Sequence, residues 1–387
     1  MPKNIVVCCD GTGNEYCDHN SNVVELFSAL VLDDGRQVGY YHPGVGTEGS
    51  PTSRNRVEAF FSILMGLGIG SGLLDYVGDA YRYLMNVYEE GDQIYLFGFS
   101  RGAYTVRALA GMVSMFGLLR AENEGMIPYI LKMFSRKTRK ASGMTPSFEE
   151  AAGFKRTFSR AATLHLVGVW DTVSSVGMVW DPLKLPYTAV NPSMVHGLHA
   201  LSIDERRSFF RNNLWGSPTP KPVDGVQQTI RQVWFAGVHS DVGGSYPAVE
   251  SGLSQITLEW MLGEAVKLGL LVNPHRVERV LGRVPPHPPV AGNPAQVIHK
   301  SLTWAWWPLE WYPRRVYDWT TKKKKWTIPW GSSRQIPVGS RIHESVQIKL
   351  QVDATYRPKN LPTGWEGCVD PWVRPVFKRA ESLADGN

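Results

Sequence analysis

Long apolar runs are absent from this chain of 387 residues. The longest, residues 60–74, is interrupted by four glycines and falls short of the roughly 18 apolar residues that a membrane-spanning helix needs. The first residues, MPKNIVVCCDG, enter a strand-like run at once and contain no signal peptide. We therefore expect synthesis in the cytoplasm, with peripheral membrane association or non-classical export as the ways to reach a membrane.

The chain also has few cysteines and a small net charge. The four cysteines lack the Cys-x-x-Cys or Cys/His spacing of a zinc site and fit no disulfide framework. We expect buried thiols in a reducing compartment, no metal and no organic cofactor. The formal net charge of +6 is spread over a long chain, so it points only weakly to an anionic partner.

The hydrophobic content of 43% suffices for a large core and excludes wholesale disorder. Short apolar runs favour parallel strands covered on both faces, and helical patterns at 75–89 and 104–118 alternate with them. The sequence predicts an α/β fold similar to the α/β-hydrolases, with a mostly parallel sheet and helices on both faces. The four clearest runs are residues 3–9 (KNIVVCC), 93–99 (QIYLFGF), 164–170 (LHLVGVW) and 232–238 (QVWFAGV).

The amino-acid composition changes at a proline-rich connector that begins near residue 281. We therefore predict a catalytic α/β core over residues 1–280 and a Trp- and Lys-rich extension, packed on that core, over residues 281–387. Within the core, the basic residues 120–160 fall between two predicted strands. They predict a helical insertion in the position of a lid.

The sharpest local motif is the Gly-x-Ser-x-Gly pentapeptide centred on Ser100. An apolar strand precedes it and a helix of small residues follows it, which is the context of a nucleophile elbow. The two glycines avoid a clash in the tight turn, and the helix N-terminus favours a developing anion. The alternative is an ordinary strand-to-helix turn in which Ser100 caps the helix.

A serine nucleophile needs a base and an acid that orients the base. Asp171 and His239 each follow an apolar run, and the order Ser, Asp, His is that of the α/β-hydrolases. We expect His239 to take the Ser100 proton and Asp171 to orient its imidazole. The alternatives are a helix-capping Asp171 and a hydrogen-bonded loop histidine; His343 and His299 are weaker candidate bases.

The loop Asp10-Gly11-Thr12 follows the first run, and its glycine amides are candidate donors to an oxyanion. The backbone N–H of Arg101 is the second candidate, and Asp10 is expected to hold the loop by accepting backbone N–H bonds. Two other interpretations are an acidic phosphatase-type nucleophile at Asp10 and a phosphate-binding nest. The first lacks a second acid two residues later, and the second lacks the Gly-Lys-Ser/Thr ending of a P-loop.

With these residues assembled, the chain resembles the type VI secretion lipase effectors, whose shared unit is an α/β-hydrolase domain. The resemblance implies serine-esterase chemistry on phospholipids, with Ser100, Asp171 and His239 at the matching triad positions. It rests on five stretches within residues 1–260, namely CCDGTGN, GDQIYLFGFSRGAYTVRALAG, VGVWDTVSSVG, HALSIDERRSFF and VWFAGVHSDVGGSY.

Seven of the 14 tryptophans and six cations lie within residues 304–330. Aromatic rings beside lysine and arginine are typical of a surface that contacts anionic lipid. The alternative is a Trp-rich subdomain packed on the core, because prolines at 308, 313 and 329 prevent a long amphipathic helix. The candidate lipid contacts are Trp304, Trp306, Trp307 and Trp311.

We predict a serine hydrolase that cleaves carboxylic esters of phospholipids or other acyl lipids through an acyl-enzyme. Its expected partners are a lipid or small ester substrate and a membrane surface, with no nucleic acid. Two alternatives stay open, a non-catalytic membrane- or partner-binding module on a hydrolase scaffold and an esterase for a soluble substrate.

Overall fold

The computed structural model of the chain describes residues 2–11, 19–33, 35–44, 69–135, 148–173, 177–178, 181–182, 185–284, 291–318, 323–375 and 377. Within these residues, eight strands form one sheet, and every neighbouring pair of strands is parallel. The order across the sheet is β2-β1-β3-β4-β5-β6-β7-β8. The strands are β1 Asn4–Cys9, β2 Gln37–His42, β3 Gln93–Phe99, β4 Leu164–Trp170, β5 Met194–Ser202, β6 Thr229–Phe235, β7 Arg341–His343 and β8 Val369–Asp370.

Helices connect these strands and follow them. The α-helices are α1 Asn22–Ala29, α2 Ile69–Val87, α3 Ser100–Phe116, α4 Ile127–Phe134, α5 Phe148–Phe158, α6 His239–Gly243, α7 Gly252–Lys267, α8 Pro274–Val280, α9 Trp307–Glu310 and α10 Glu344–Val352. Short 3₁₀ turns span Ala121–Met126, Ala248–Glu250, Trp304–Trp306 and Trp365–Cys368. Three small antiparallel pairs join Leu118–Leu119 to Ser159–Arg160, Gly177–Met178 to Asp181–Pro182, and Arg314–Asp318 to Lys323–Thr327.

Both faces of the sheet are buried, which confirms the α/β fold predicted from the uniformly apolar runs. Along β1, Ile5 and Val7 lie in one core with residues of α2, α3, α4 and α5. Val6 and Cys8 point to the opposite face and lie in a second core with residues of α1, α7 and α8. Because successive side chains of a strand face opposite sides, a strand covered on both faces needs apolar residues at every position.

The strand order creates a switch point at one edge of the molecule. From β1 the chain moves outward to β2, and β3 then pairs with the other side of β1. The connections after β1 and β3 therefore lead to opposite sides, and open α/β sheets bind ligands in a crevice at such a point, at the carboxyl ends of the strands. Ser100 lies at this switch point because it directly follows β3.

The extension predicted from residue 281 supplies two strands of this same sheet. Its strands β7 and β8 pair in parallel beyond β6. Ile342 and Val346 pack against Leu201 and Trp234, so the C-terminal residues share a hydrophobic core with β5 and β6. The predicted boundary near residue 280 thus does not divide the sheet.

The predicted insertion at residues 120–160 contains α4 and α5. Ile130 and Phe134 of α4 and Phe154 of α5 are buried in the core beneath the sheet face that α3 also covers. Residues 136–147 lie outside the described part of the chain. The described helices therefore cover the sheet, and the lid role of the segment stays a prediction.

Candidate active site

The turn between β3 and α3 holds Ser100 in a strained conformation. Ser100 has a φ of 57°, in the left-handed region that non-glycine residues rarely adopt. Such a conformation costs on the order of 1 kcal/mol and persists only where the surrounding structure imposes it. The turn presents the serine side chain at the carboxyl end of the sheet, as a nucleophile elbow requires.

The two glycines of the pentapeptide are required by close backbone contacts. A Cβ at Gly98 would lie 2.6 Å from the carbonyl oxygen of Gly102. A Cβ at Gly102 would lie 2.1 Å from the carbonyl oxygen of Cys9. The absence of a side chain at Gly98 lets the turn fold back on itself. Its absence at Gly102 lets α3 pack directly against the end of β1.

Ser100, His239 and Asp171 form one chain of hydrogen bonds. The distance from Ser100 Oγ to His239 Nε2 is 2.8 Å, and that from His239 Nδ1 to Asp171 Oδ2 is 2.5 Å. All three residues are buried. They meet because β3, β4 and β6 are parallel and the three residues follow their carboxyl ends.

Electrostatics favour a neutral imidazole at His239. Burial lowers the pKa of His239, and the hydrogen bond and negative charge of Asp171 offset this effect only in part. A neutral imidazole with its proton on Nδ1 donates to Asp171 and leaves Nε2 free to accept the Ser100 proton. The ring lies between Phe99 and Phe210, whose ring centroids are 4.7 and 4.8 Å from its own.

Asp171 has a second partner that the sequence did not reveal. Nη1 and Nη2 of Arg334 lie 2.5 and 2.9 Å from the two carboxylate oxygens of Asp171. The backbone N–H of Ser202 also donates to Asp171, at 3.0 Å. Burial by itself raises the pKa of Asp171, but the Arg334 charge and the hydrogen bonds from His239 and Arg334 hold it well below its ordinary value.

The loop after β1 is braced by Asp10. Its carboxylate accepts hydrogen bonds from Gly11 N at 2.6 Å, Ser21 Oγ at 2.6 Å and Tyr41 Oη at 3.0 Å. Asp10 is therefore a hydrogen-bond acceptor within the loop, and the Gly11 N–H is already engaged by it. The candidate donor Thr12 lies outside the described residues.

A sequence model of the family described as "T6SS, Phospholipase effector Tle1-like, catalytic domain" matches residues 3–264. The chain belongs to this family. Membership confirms the predicted resemblance and supports lipase or phospholipase activity for this Tle1-like domain. The matched residues contain Ser100, Asp171 and His239 but not Arg334.

A relative of this Tle1-like protein is an uncharacterised protein of Saccharomyces cerevisiae, YEL023C. It is 33% identical over 572 aligned positions, which cover 98% of this chain and 82% of the relative.

Two solved structures are more distant. An uncharacterised protein from Pseudomonas aeruginosa is 20% identical with a TM-score of 0.40, over 72% of this chain and 47% of that one. The Tle1 effector bound to the VgrG spike of the type 6 secretion system is 18% identical with a TM-score of 0.36, over 65% and 53%. The chain thus spans about half the length of these solved structures.

The other candidate bases of the Tle1-like domain have partners of their own. His299 Nδ1 lies 2.6 Å from Asp241 Oδ1, and its Nε2 lies 3.1 Å from Glu250 Oε2. His343 Nδ1 lies 2.9 Å from Ser345 Oγ, and burial lowers the pKa of His343 to about 3. The described residues contain no group of three or more histidine, cysteine, aspartate or glutamate side chains that could hold a metal ion.

The tryptophans of the C-terminal segment are divided between the surface and the site. Trp304 and Trp311 are 87% and 55% exposed, whereas Trp306 and Trp307 are half-buried. The ring of Trp306 lies 5.4 Å from that of Phe210, which in turn contacts His239. The segment therefore adjoins the wall of the site.

Among the described residues, no helix has the length and apolar content needed to cross a membrane.

Proposed function

We propose that this chain is a serine esterase that cleaves carboxylic esters of phospholipids or other acyl lipids. The observation that carries the proposal is the hydrogen-bonded chain of Ser100, His239 and Asp171, which starts at a strained turn between β3 and α3. Membership of a family described as phospholipase effectors favours a lipid over other esters.

In the first half-reaction, Ser100 Oγ attacks the acyl carbonyl carbon and its proton moves to His239 Nε2. The ester C–O bond then breaks, and the leaving alkoxide takes that proton from His239. In the second half-reaction, His239 removes a proton from water, whose oxygen attacks the acyl carbon. The bond between the acyl carbon and Ser100 Oγ then breaks, Ser100 takes the proton from His239, and the acid product departs. Asp171 keeps the imidazole oriented and stabilises the imidazolium in both halves.

The oxyanion of each tetrahedral intermediate needs hydrogen-bond donors. We assign one donor to the backbone N–H of Arg101, in the first turn of α3, where N–H groups have no partner within the helix. The second donor comes from the loop after β1. Because the Gly11 N–H already donates to Asp10, this assignment requires the Gly11 bond to break or a neighbouring N–H, such as that of Thr12, to serve.

We further propose that the C-terminal tryptophans bring the site to a membrane surface. The exposed tryptophans include Trp304, Trp311, Trp326 and Trp330, and Arg315 lies 5.3 Å from the ring of Trp326. Exposed Trp rings prefer the headgroup region, and nearby cations pair with anionic lipids. The contact from Trp306 through Phe210 to His239 supports a position of this surface near the proposed catalytic residues.

Labelling with a fluorophosphonate tests the catalytic assignment. The wild-type protein should form an adduct at Ser100, and Ser100→Ala should form none. The exposed Ser28 on α1 offers a matched control, because Ser28→Ala should label like the wild type.

Incubation with mixed phospholipids should release fatty acid and lysophospholipid only when Ser100 is present. A wild-type protein that forms no Ser100-dependent adduct and releases no product would favour the non-catalytic binding module instead.

A further inference from the structure

The side chain of Arg101, next to the proposed nucleophile, has a buried nitrogen with nothing to bond. This atom, Nη1, has no hydrogen-bond partner in the part of the chain that the structure describes. No carboxylate of the described residues contributes to its pKa; the side chain that does is the phenol of Tyr76, and phenols are uncharged near neutral pH. A buried guanidinium nitrogen without a hydrogen-bond partner is unfavourable, because it has lost water and gained no bond in exchange.

Two other buried arginines show how this protein normally satisfies such a group. Arg107, two turns further along α3, donates from Nε to the carbonyl oxygen of Thr188 at 2.8 Å, and its guanidinium lies 4.8 Å from the ring of Trp215. Arg334 is held by both oxygens of Asp171. Nη1 of Arg101 therefore differs from the Nη atoms of Arg334 in having no partner among the described residues, and an anionic ligand is the natural complement.

The position of Arg101 fits a ligand in the crevice at the switch point. Gly102 packs against the carbonyl oxygen of Cys9, so this turn of α3 lies directly beside the end of β1. Tyr76 lies near the guanidinium, and its ring centroid is 4.3 Å from that of His42, the last residue of β2. The Arg101 side chain thus lies beside the carboxyl end of β2, and its backbone directly follows Ser100 at the carboxyl end of β3.

We propose that the Arg101 guanidinium binds the phosphate of a phospholipid while Ser100 attacks an acyl ester of the same molecule. This inference rests on the proposed esterase function and deepens it. In a glycerophospholipid, the phosphate is attached to the glycerol carbon next to the one that bears the middle acyl ester. Neighbouring residues such as Arg101 and Ser100 could therefore contact the phosphate and that ester of one molecule. The planar guanidinium matches phosphate oxygens with two parallel hydrogen bonds.

The Arg101 cation persists at the pH where the enzyme would work. Burial lowers its pKa to about 10, which leaves the guanidinium charged at neutral pH. Arg101 would therefore favour phosphate-bearing lipids over neutral glycerides with the same acyl chains. The side chain of Arg101 would thus select the substrate. This role is separate from that of its backbone N–H, which we assign to the stabilisation of the oxyanion.

The kinetic test compares a short-chain phosphatidylcholine, below its micellar concentration, with the diacylglycerol that carries the same acyl chains. The ratio of the two kcat/KM values should fall about 10- to 100-fold in Arg101→Gln, as expected for a lost charged hydrogen bond. Arg101→Lys should restore part of the ratio. The matched control Arg156→Gln, at an exposed position on α5, should keep the wild-type ratio. An unchanged ratio in Arg101→Gln would overturn the inference.

A binding measurement separates this inference from the esterase proposal, because it needs no turnover. Titration calorimetry of the Ser100→Ala protein should detect glycerophosphocholine, and the affinity should drop at least about tenfold when Arg101→Gln is added. Inorganic phosphate is the second probe: binding of both probes that depends on Arg101 indicates a general phosphate site, and binding of glycerophosphocholine alone indicates a headgroup site. Equal affinity of both proteins for both probes would contradict a phosphate site.

Discussion

The guanidinium of Arg334 donates to both carboxylate oxygens of Asp171, and one of them, Oδ2, also accepts the hydrogen bond from His239 Nδ1. Asp171 is fully buried. Its negative charge faces a fixed cation and an imidazole that, in the proposed mechanism, becomes charged only during the reaction. Arg334 fixes the position of the carboxylate. It also weakens the attraction of Asp171 for a proton on His239.

Replacing Arg334 with methionine should therefore change the pH dependence as well as the rate. Without the fixed cation, the full charge of Asp171 stabilises the imidazolium, so the pKa of His239 rises and the acid limb of kcat/KM moves to higher pH. We also expect a loss of stability of about 3–5 kcal/mol, since one partner of a buried ion pair is removed. Activity profiles and thermal unfolding measure the two effects.

Two further variants show whether these effects are specific. Arg334→Lys keeps the charge but not the two-bond geometry, so it should lower kcat while leaving the acid limb close to that of the wild type. Arg341→Met removes an exposed arginine of β7 and should change neither quantity. An acid limb that stays in place in Arg334→Met would show that Arg334 does not act on His239 through Asp171.

The wild-type protein should keep its activity to pH values below the ordinary imidazole pKa of about 6.5. Burial favours the neutral form of His239 and outweighs the opposing charge of Asp171, so the pKa is lowered. In the proposed mechanism activity requires the neutral base, so it should be lost as pH falls through that lowered pKa. A profile of kcat/KM on a soluble short-chain ester measures the limb, and a limb above 6.5 would contradict the burial argument.

The sequence sufficed to predict the meeting of Ser100, Asp171 and His239, because each signal was local. In each case an apolar run of about seven residues ended in a polar residue, and the carboxyl ends of parallel strands share one edge of the sheet. The same logic could not find Arg334. Its contact with Asp171 spans 163 positions of the chain and follows no spacing rule.

Four strands, β2, β5, β7 and β8, escaped prediction, the last three for a physical reason. β7 and β8 have three and two residues, too short to leave an apolar pattern. β5 is interrupted by His196 and His199, which read as polar positions in the sequence. His199 is nevertheless fully buried, because its Nε2 accepts a hydrogen bond from Thr172 N and burial lowers the pKa of His199 to about 3. A neutral, hydrogen-bonded histidine can occupy the core, and sequence alone does not reveal that state.

Adding one methyl group at Gly102 should destabilise the whole protein. The new Cβ would lie 2.1 Å from the carbonyl oxygen of Cys9 and 2.5 Å from that of Asp10, and both are backbone atoms, which cannot turn aside as a flexible side chain can. We expect a loss of more than about 3 kcal/mol, at the upper end of the usual cost of overpacking. Thermal or urea unfolding measures it.

Gly153→Ala is the matched control for Gly102→Ala. It lies within α5, where the nearest atom to a new Cβ is Arg156 Nη2 at 4.0 Å. Alanine should stabilise this helix by about 0.5–1 kcal/mol. Equal stability of the two variants would show that α3 does not pack against β1 as closely as the structure indicates.

Removing both exposed rings Trp304 and Trp311 by alanine substitution should weaken binding to vesicles that contain phosphatidylglycerol. Each ring would lose its place in the headgroup region, and the pair should reduce the partition coefficient roughly tenfold or more. Vesicle sedimentation measures the coefficient. Lys323→Gln and Lys325→Gln should each cost about 1 kcal/mol of binding, and higher salt should weaken the wild-type interaction.

The same proteins test whether this surface serves catalysis. Wild type should hydrolyse micellar esters faster than monomeric ones, and the Trp304→Ala, Trp311→Ala protein should lose that difference while keeping its rate on monomers. Tyr129→Ala is the control, because Tyr129 on α4 is 52% exposed and lies outside the Trp-rich segment. If wild type shows no preference for micelles, the segment is a packed subdomain and the substrate is a soluble ester. If Tyr129→Ala loses vesicle binding equally, exposed aromatic rings in general, and not this surface, account for the binding.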